Sequence, residues 1–155
     1  MFNIGVISDT HNFLDPKIPK LFRGVEHILH AGDIGQARII LELENIAPVT
    51  AVLGNNDDGT LNCRLSEVVE LARRAFLIHH IVVPHALRED LQSLISKHNP
   101  QVVVFGHTHQ PFCETVNGTL YFNPGYAGKP RFGMERSIAI LKCDQQTITP
   151  EYFTL

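Results

Sequence analysis

The chain has 155 residues, 44% of them hydrophobic, and a formal net charge of −3. That length suits one domain with one sizeable core, and the composition excludes a disordered chain. The mild acidity, with no run of Lys or Arg, argues against a dedicated nucleic-acid or anionic-membrane surface, and no apolar stretch approaches the roughly 20 residues of a membrane helix.

The opening segment MFNIGVISDT has no cationic region or cleavage-like site and reads as a strand over Phe2–Ser8 rather than a targeting signal. A helix over Pro16–Phe22, a strand over Val25–His30, a helix over Gln36–Glu44 and a strand over Pro48–Leu53 follow. Strands are next expected over Glu67–Leu71 and Ala75–His80. The clearest helical pattern is Pro84–His98, where Leu87, Leu91, Leu94 and Ile95 form an apolar stripe between charged residues. Strands over Val102–Phe105, Leu120–Phe122, Ser137–Lys142 and Thr147–Phe153 complete the chain. Strand–helix alternation followed by a strand-rich half predicts one α/β domain, residues 1–155, built on two packed sheets. Cys63, Cys113 and Cys143 are scattered and odd in number, as expected of reduced thiols in a cytoplasmic protein.

In an open α/β sheet, ligands gather beyond the carboxyl ends of the strands. Here those ends carry Asp9 and His11 in SDTHN, Asp33 in HAGDIG, and Asn55, Asn56 and Asp57 in LGNNDDG. Later ends carry His79 and His80 in FLIHH, then His107 and His109 in FGHTH. In an extended loop, residues two apart lean to one side, so His107 and His109 form a clamp. A carboxylate, amide and imidazole set without cysteine suits Mn²⁺, Fe²⁺ or Zn²⁺ better than a structural zinc site. There are too many donors for one ion, and Asp33 is placed to bridge two. Taken singly, several neighbours read more plainly: His30 as strand-end packing, His85 as surface or the edge of a substrate pocket, Asn56 as a turn residue or substrate contact, Lys129 and Arg131 as solvated loop cations, with steering of a phosphate the alternative.

The ordered set DTH, GD, GNND, a strand-end histidine and GHTH resembles the signature of the calcineurin-like metallophosphoesterases, and in particular their small bacterial and archaeal phosphodiesterases. NPGYAGKPR (Asn123–Arg131) is similar to their C-terminal segment. The resemblance implies a four-layer α-β-β-α sandwich of two mixed β-sheets with two metals at the strand ends. By position, it implies Asp9, His11, Asp33 and His109 for one ion and Asp33, Asn55, His79 and His107 for the other. At LIHHIV relatives often show His-Gly-His. His79 aligns with the first histidine and is taken as the ligand, with His80 the alternative.

Two divalent ions suit phosphoester hydrolysis because they supply hydroxide from a bridging water and offset charge on the phosphoryl oxygens. Asp57 is expected to orient a ligand from behind. Many relatives carry a histidine where this chain has Asn56, and asparagine cannot protonate a leaving oxygen. The expected activity is thus hydrolysis of a small phosphodiester, with Asp33, Asn56 and Asp57 as the catalytic set and a preference for aryl leaving groups. Mn²⁺ is the expected metal, with Ni, Fe, Zn or Co as alternatives, and a homo-oligomer is left open. The competing expectations are a phosphomonoesterase and a non-catalytic protein-binding scaffold of the same fold. A nuclease fits poorly with this length and charge.

Overall fold

The computed structural model describes residues 1–155. Strands β1 (Phe2–Ile7), β2 (His27–His30) and β3 (Val49–Ala51) alternate with helices α1 (Ile18–Leu21) and α2 (Ala37–Glu44). After a 3-10 turn at Gly59–Leu61 come β4 (Ser66–Leu71), β5 (Arg74–His79), α3 (Glu89–His98), β6 (Val102–Val104), β7 (Phe112–Val116), β8 (Thr119–Asn123), β9 (Ser137–Cys143) and β10 (Ile148–Thr154). One five-stranded sheet has the order β10-β9-β1-β2-β3, the other β4-β5-β6-β8-β7. In the first, β1–β2–β3 are parallel out to the β3 edge and β9 and β10 add antiparallel on the β1 side; in the second, a parallel centre β5–β6–β8 is flanked by antiparallel β4 and β7.

Side-chain alternation along the strands produces the layers. Ile4, Val6, Leu29, Phe76, Ile78, Val102, Val104, Phe122 and Leu141 form the core between the sheets. The opposite face of the first sheet, through Ile7, Ile28, Ile138 and Ile140, packs on Ile18 and Phe22 near α1 and on Ile39 and Leu43 of α2. The second sheet covers Leu77, Val103 and Tyr121 with Leu91, Leu94 and Ile95 of α3. The result is the α-β-β-α sandwich that the resemblance implied.

Two elements differ from expectation. Helix α3 starts at Glu89, not Pro84: Ala86 N–H closes a turn on the Val83 carbonyl, and the helix begins after Arg88 with Glu89 and Asp90 in its first turn, where acids favour the N-terminal dipole. Strand β7 was not expected. Its residues are mostly exposed, as on a sheet edge, and it joins β8 through Asn117-Gly118, both left-handed at φ 50° and 81°. That pair is the usual two-residue hairpin turn.

Candidate metal centre

The parallel strands β1, β2, β5 and β6 end at one rim, and their following loops converge there. Asp9 N–H donates to the Gly32 carbonyl at 2.9 Å, His11 N–H to Asp33 at 2.9 Å, and Gly106 N–H to His80 at 3.0 Å. These bonds hold unusual backbones. Asp9, His11, Asp33, His107 and His109 have φ of 57°, 45°, 53°, 70° and 62°. Left-handed φ at a non-glycine residue costs on the order of 1 kcal/mol and persists where the surroundings impose it, often at functional sites. Neighbouring glycines permit the crowding: a Cβ on Gly54 would lie 2.1 Å from Asp33 Oδ1, and one on Gly106 2.1 Å from Ser8 Oγ.

The donors fall into two overlapping groups, Asp9–His11–His109 and Asp9–Asp33–His80. His109 Nε2 lies 3.4 Å from Asp9 Oδ1, and His11 Nε2 lies 3.9 Å from Asp9 Oδ1 and 3.6 Å from Asp33 Oδ2. His80 Nε2 is 3.4 Å from Asp33 Oδ2 and 3.0 Å from Asn55 Oδ1, which is itself 3.1 Å from His107 Nδ1. Asp33 lies beside both groups.

His79 does not enter this cluster, and the structure brings in His80 instead. The Nδ1 atom of His79 meets Ser66 Oγ at 2.6 Å, on the far face of β5. The physical reason is strand alternation. Phe76 and Ile78 face the inter-sheet core and Leu77 faces α3, so the next inward position is His80. The other expected donors, Asp9, His11, Asp33, Asn55, His107 and His109, all come together.

The cluster is rich in acceptors and poor in protons. Nδ1 of His80 faces the Ala31 carbonyl at 2.7 Å, which can only accept, so Nδ1 carries the hydrogen. A neutral His80 therefore turns the Nε2 lone pair toward Asp33 Oδ2 and Asn55 Oδ1. Asp9 Oδ2 accepts from Ser8 Oγ at 2.7 Å and from His107 N–H at 3.2 Å, but the buried Oδ1 has no partner, nor has His11 Nε2. Lone pairs converging without hydrogens between them call for a cation, and the nitrogen and oxygen donors fit divalent ions.

Titration behaviour shows the same crowding of lone pairs, with a proton on His80 Nε2 answering Asp33 in place of a cation. Burial pushes the Asp9 carboxyl up, and it also pushes the His109 imidazole down, with Arg131 acting in the same direction. At Asp33 burial works upward, yet hydrogen bonds from His80 and Asn56 outweigh it and hold the carboxyl well below the usual range. At His80 burial works downward, but Asp33 and the Ala31 carbonyl win and raise it.

Asn56 and Asp57 support the carboxylate loop. Asn56 donates to both oxygens of Asp33, through its backbone N–H and its side-chain amide, each at 2.9 Å. The Asp57 carboxylate accepts from Ile34, Gly35 and Gly54 N–H groups at 2.8–3.1 Å. Asp57 thus clamps the loop after β2 to the loop after β3 and does not contact the cluster through its side chain; the sequence expectation of a ligand-orienting bond becomes a backbone brace.

His30 is more than strand-end packing. Burial pushes it down to about 3, so it is neutral. It accepts Gly32 N–H at 3.2 Å, lies 3.0 Å from Thr10 Oγ1, and Thr10 in turn donates to the Ile34 carbonyl at 2.8 Å. Thr10 sits between Asp9 and His11, and Gly32 and Ile34 flank Asp33. His30 therefore ties the two ligand-bearing loops together, and the polar buried strand-end position was its signal. Asn123 supports the other rim, donating to the Gly106 carbonyl and to Thr108 Oγ1, both at 3.1 Å.

A profile of the calcineurin-like phosphoesterase superfamily domain matches residues 2–146. The chain belongs to that superfamily. Within it, a probable metallophosphoesterase of Methanothermobacter thermautotrophicus is 37% identical over 96% of this chain and 90% of its own length. A phosphodiesterase of Methanocaldococcus jannaschii is 32% identical over 79% of this chain and 82% of its own. Among solved structures, an archaeal phosphodiesterase superposes with a TM-score of 0.76 at 29% identity, covering 99% of this chain and 100% of that one. Vps29 from Entamoeba histolytica, solved with zinc, shares the superfamily fold at a TM-score of 0.76 and 20% identity, with 99% of each chain covered.

Proposed function

We propose that this superfamily member is a dinuclear metal-dependent phosphoesterase that hydrolyses a small phosphodiester. The observation that carries the reading is the unpartnered pair Asp9 Oδ1 and His11 Nε2, buried within a ring of lone pairs. Asp9, His11, Asp33 and His109 would hold one ion, and Asp33, Asn55, His80 and His107 the other, with Mn²⁺ the first candidate. When bound, two such ions supply a water deprotonated near neutral pH and positive charge against the phosphoryl oxygens.

The chain's own groups set the conditions for that chemistry. Asp9 and Asp33 offset part of the metal charge, and the Ala31 carbonyl fixes the His80 tautomer so that Nε2 is the ligand atom. Asn56 holds Asp33 and has no proton to give, so the departing oxygen leaves without help from this position. That favours substrates whose alcohol is a good leaving group. The phosphodiesterase relatives support diester over monoester.

A non-catalytic scaffold is the second reading, favoured by the likeness to Vps29. Because a Vps29 was solved with zinc, metal content alone does not separate the two readings; turnover does. Purified protein is assayed on bis-aryl and mono-aryl phosphates with and without Mn²⁺, beside Asp33→Ala. The proposal expects Mn²⁺-dependent diester cleavage that the variant loses. No turnover on either ester at saturating Mn²⁺ would favour the scaffold.

A further inference from the structure

The segment between β8 and β9 carries a cation that the metal centre does not use. Its first part is buried and fixed: Ala127 N–H donates to the Ser8 carbonyl at 3.1 Å, and Ser137 N–H to the Tyr126 carbonyl at 2.9 Å. Arg136 binds the Gly128 carbonyl at 2.7 Å and the Asp15 carboxylate at 2.8 Å. The fully buried Tyr126 donates its hydroxyl to the Lys129 carbonyl at 2.9 Å. A further turn closes from Met134 N–H to the Arg131 carbonyl at 3.1 Å. Arg131 is thus presented from a braced loop, not from a free one.

Its guanidinium lies over the Tyr126 ring, 5.4 Å from the centroid, and the same ring lies 4.8 Å from the His109 imidazole and 6.3 Å from that of His11. Arg136 is neutralised by Asp15, whereas Arg131 has no carboxylate within 4.0 Å. An aromatic face holds the guanidinium plane at low conformational cost while leaving its N–H edge free.

We infer that Arg131, held over the Tyr126 ring that also meets His109, binds the phosphoryl oxygens of the substrate and is the chain's own phosphate-recognition residue. The inference rests on the phosphoesterase reading. A planar fork with several N–H donors matches two oxygens of a phosphoryl group, which a lysine ammonium engages only as a point charge. Arg131 is a positioning group for the ester and takes no proton.

The test titrates inorganic phosphate into Mn²⁺-loaded wild type, Arg131→Ala, Arg131→Lys and Phe132→Ala, and measures Mn²⁺ affinity of each variant separately. Phe132, fully exposed on the same turn, controls for loop disturbance. The inference expects phosphate affinity to fall about tenfold or more in Arg131→Ala, to fall less in Arg131→Lys, and to be unchanged in Phe132→Ala. Mn²⁺ affinity of Arg131→Ala should be equal or slightly tighter, because a nearby cation has gone. Unchanged phosphate affinity in Arg131→Ala overturns the inference, as does no phosphate binding by wild type. Parallel loss of Mn²⁺ and phosphate affinity would assign Arg131 a structural role and also overturn it. Ester turnover by wild type is scored separately, so an inactive enzyme rejects the phosphoesterase reading while the phosphate titration still decides the role of Arg131.

Discussion

Gly54→Ala concentrates the architecture of the metal centre into one methyl group. The added Cβ would lie 2.1 Å from Asp33 Oδ1, 2.2 Å from Asp33 N and 2.7 Å from Asp33 Cγ. Ordinary carbon contacts begin near 3.5 Å, so Asp33 or the Gly54 backbone must retreat by about 1 Å. Neither can do so alone: Gly54 N–H is bonded to Asp57 at 2.8 Å, and the same carboxylate holds Ile34 and Gly35. Overpacking against backbone costs about 1–3 kcal/mol. With roughly 2–4 °C of Tm per kcal/mol for a chain of this size, the metal-free variant should melt about 5–10 °C lower. In the proposed dinuclear site, displacing Asp33 by that distance should cost about 100-fold in kcat/KM. Calorimetry of metal-free protein reads the first effect and steady-state bis-aryl phosphate hydrolysis the second, with Mn²⁺ titration beside them. Gly59→Ala is the control, because a Cβ there meets nothing within 4 Å. If Gly54→Ala matched Gly59→Ala in Tm and in Mn²⁺ affinity, the close-approach reasoning would be wrong.

Isothermal titration should show Mn²⁺ affinity falling at least about tenfold in His80→Ala and staying within about twofold in His79→Ala; the reverse order would restore His79 as the ligand. Asp15 is held below the usual carboxylate range, since the Lys17 amide and Arg136 outweigh the upward push of burial. Because its folded value is the lower one, its stabilisation is present above about pH 4 and lost as pH falls further. Asp15→Asn should thus cost about 3 kcal/mol near neutrality, with the gap to wild type closing in melts below about pH 4. The β4–β5 turn places Ala72 and Arg73 at φ 50° and 60°, so Ala72→Asn with Arg73→Gly should raise Tm by about 2–4 °C, and a lower Tm would count against the turn strain. With chemistry limiting, aryl phosphodiesters should be cleaved about 100-fold or more faster than alkyl ones; equal rates would mean that another group supplies the proton.

The strand ends made most of the site legible. Asp9, His11, Asp33, Asn55, His107 and His109 follow apolar runs whose strand character is unambiguous, and the loop after a parallel strand has one place to go. Motif alignment favoured His79, whereas the inward parity that Phe76 and Ile78 define brings the alternative, His80, into the donor cluster. The β7 strand was obscured by its polar edge, although Asn117-Gly118 marked the hairpin. The partners of His30, Tyr126 and Asp57 lay beyond the sequence for a different reason. Each acts through partners distant along the chain, Thr10 for His30, the His109 ring for Tyr126, and the Ile34 and Gly35 amides for Asp57. Only the packed loops reveal those pairings.

The central claim is that two ions share Asp33. It is tested most directly by titrating metal-free protein with Mn²⁺ while following both bound metal and bis-aryl phosphate hydrolysis. The account predicts binding that saturates at two equivalents per chain, with hydrolysis appearing as the second equivalent is taken up, and Asp33→Ala failing to reach it. Full activity at a single equivalent, or an Asp33→Ala variant that still binds two ions and turns over, would contradict it.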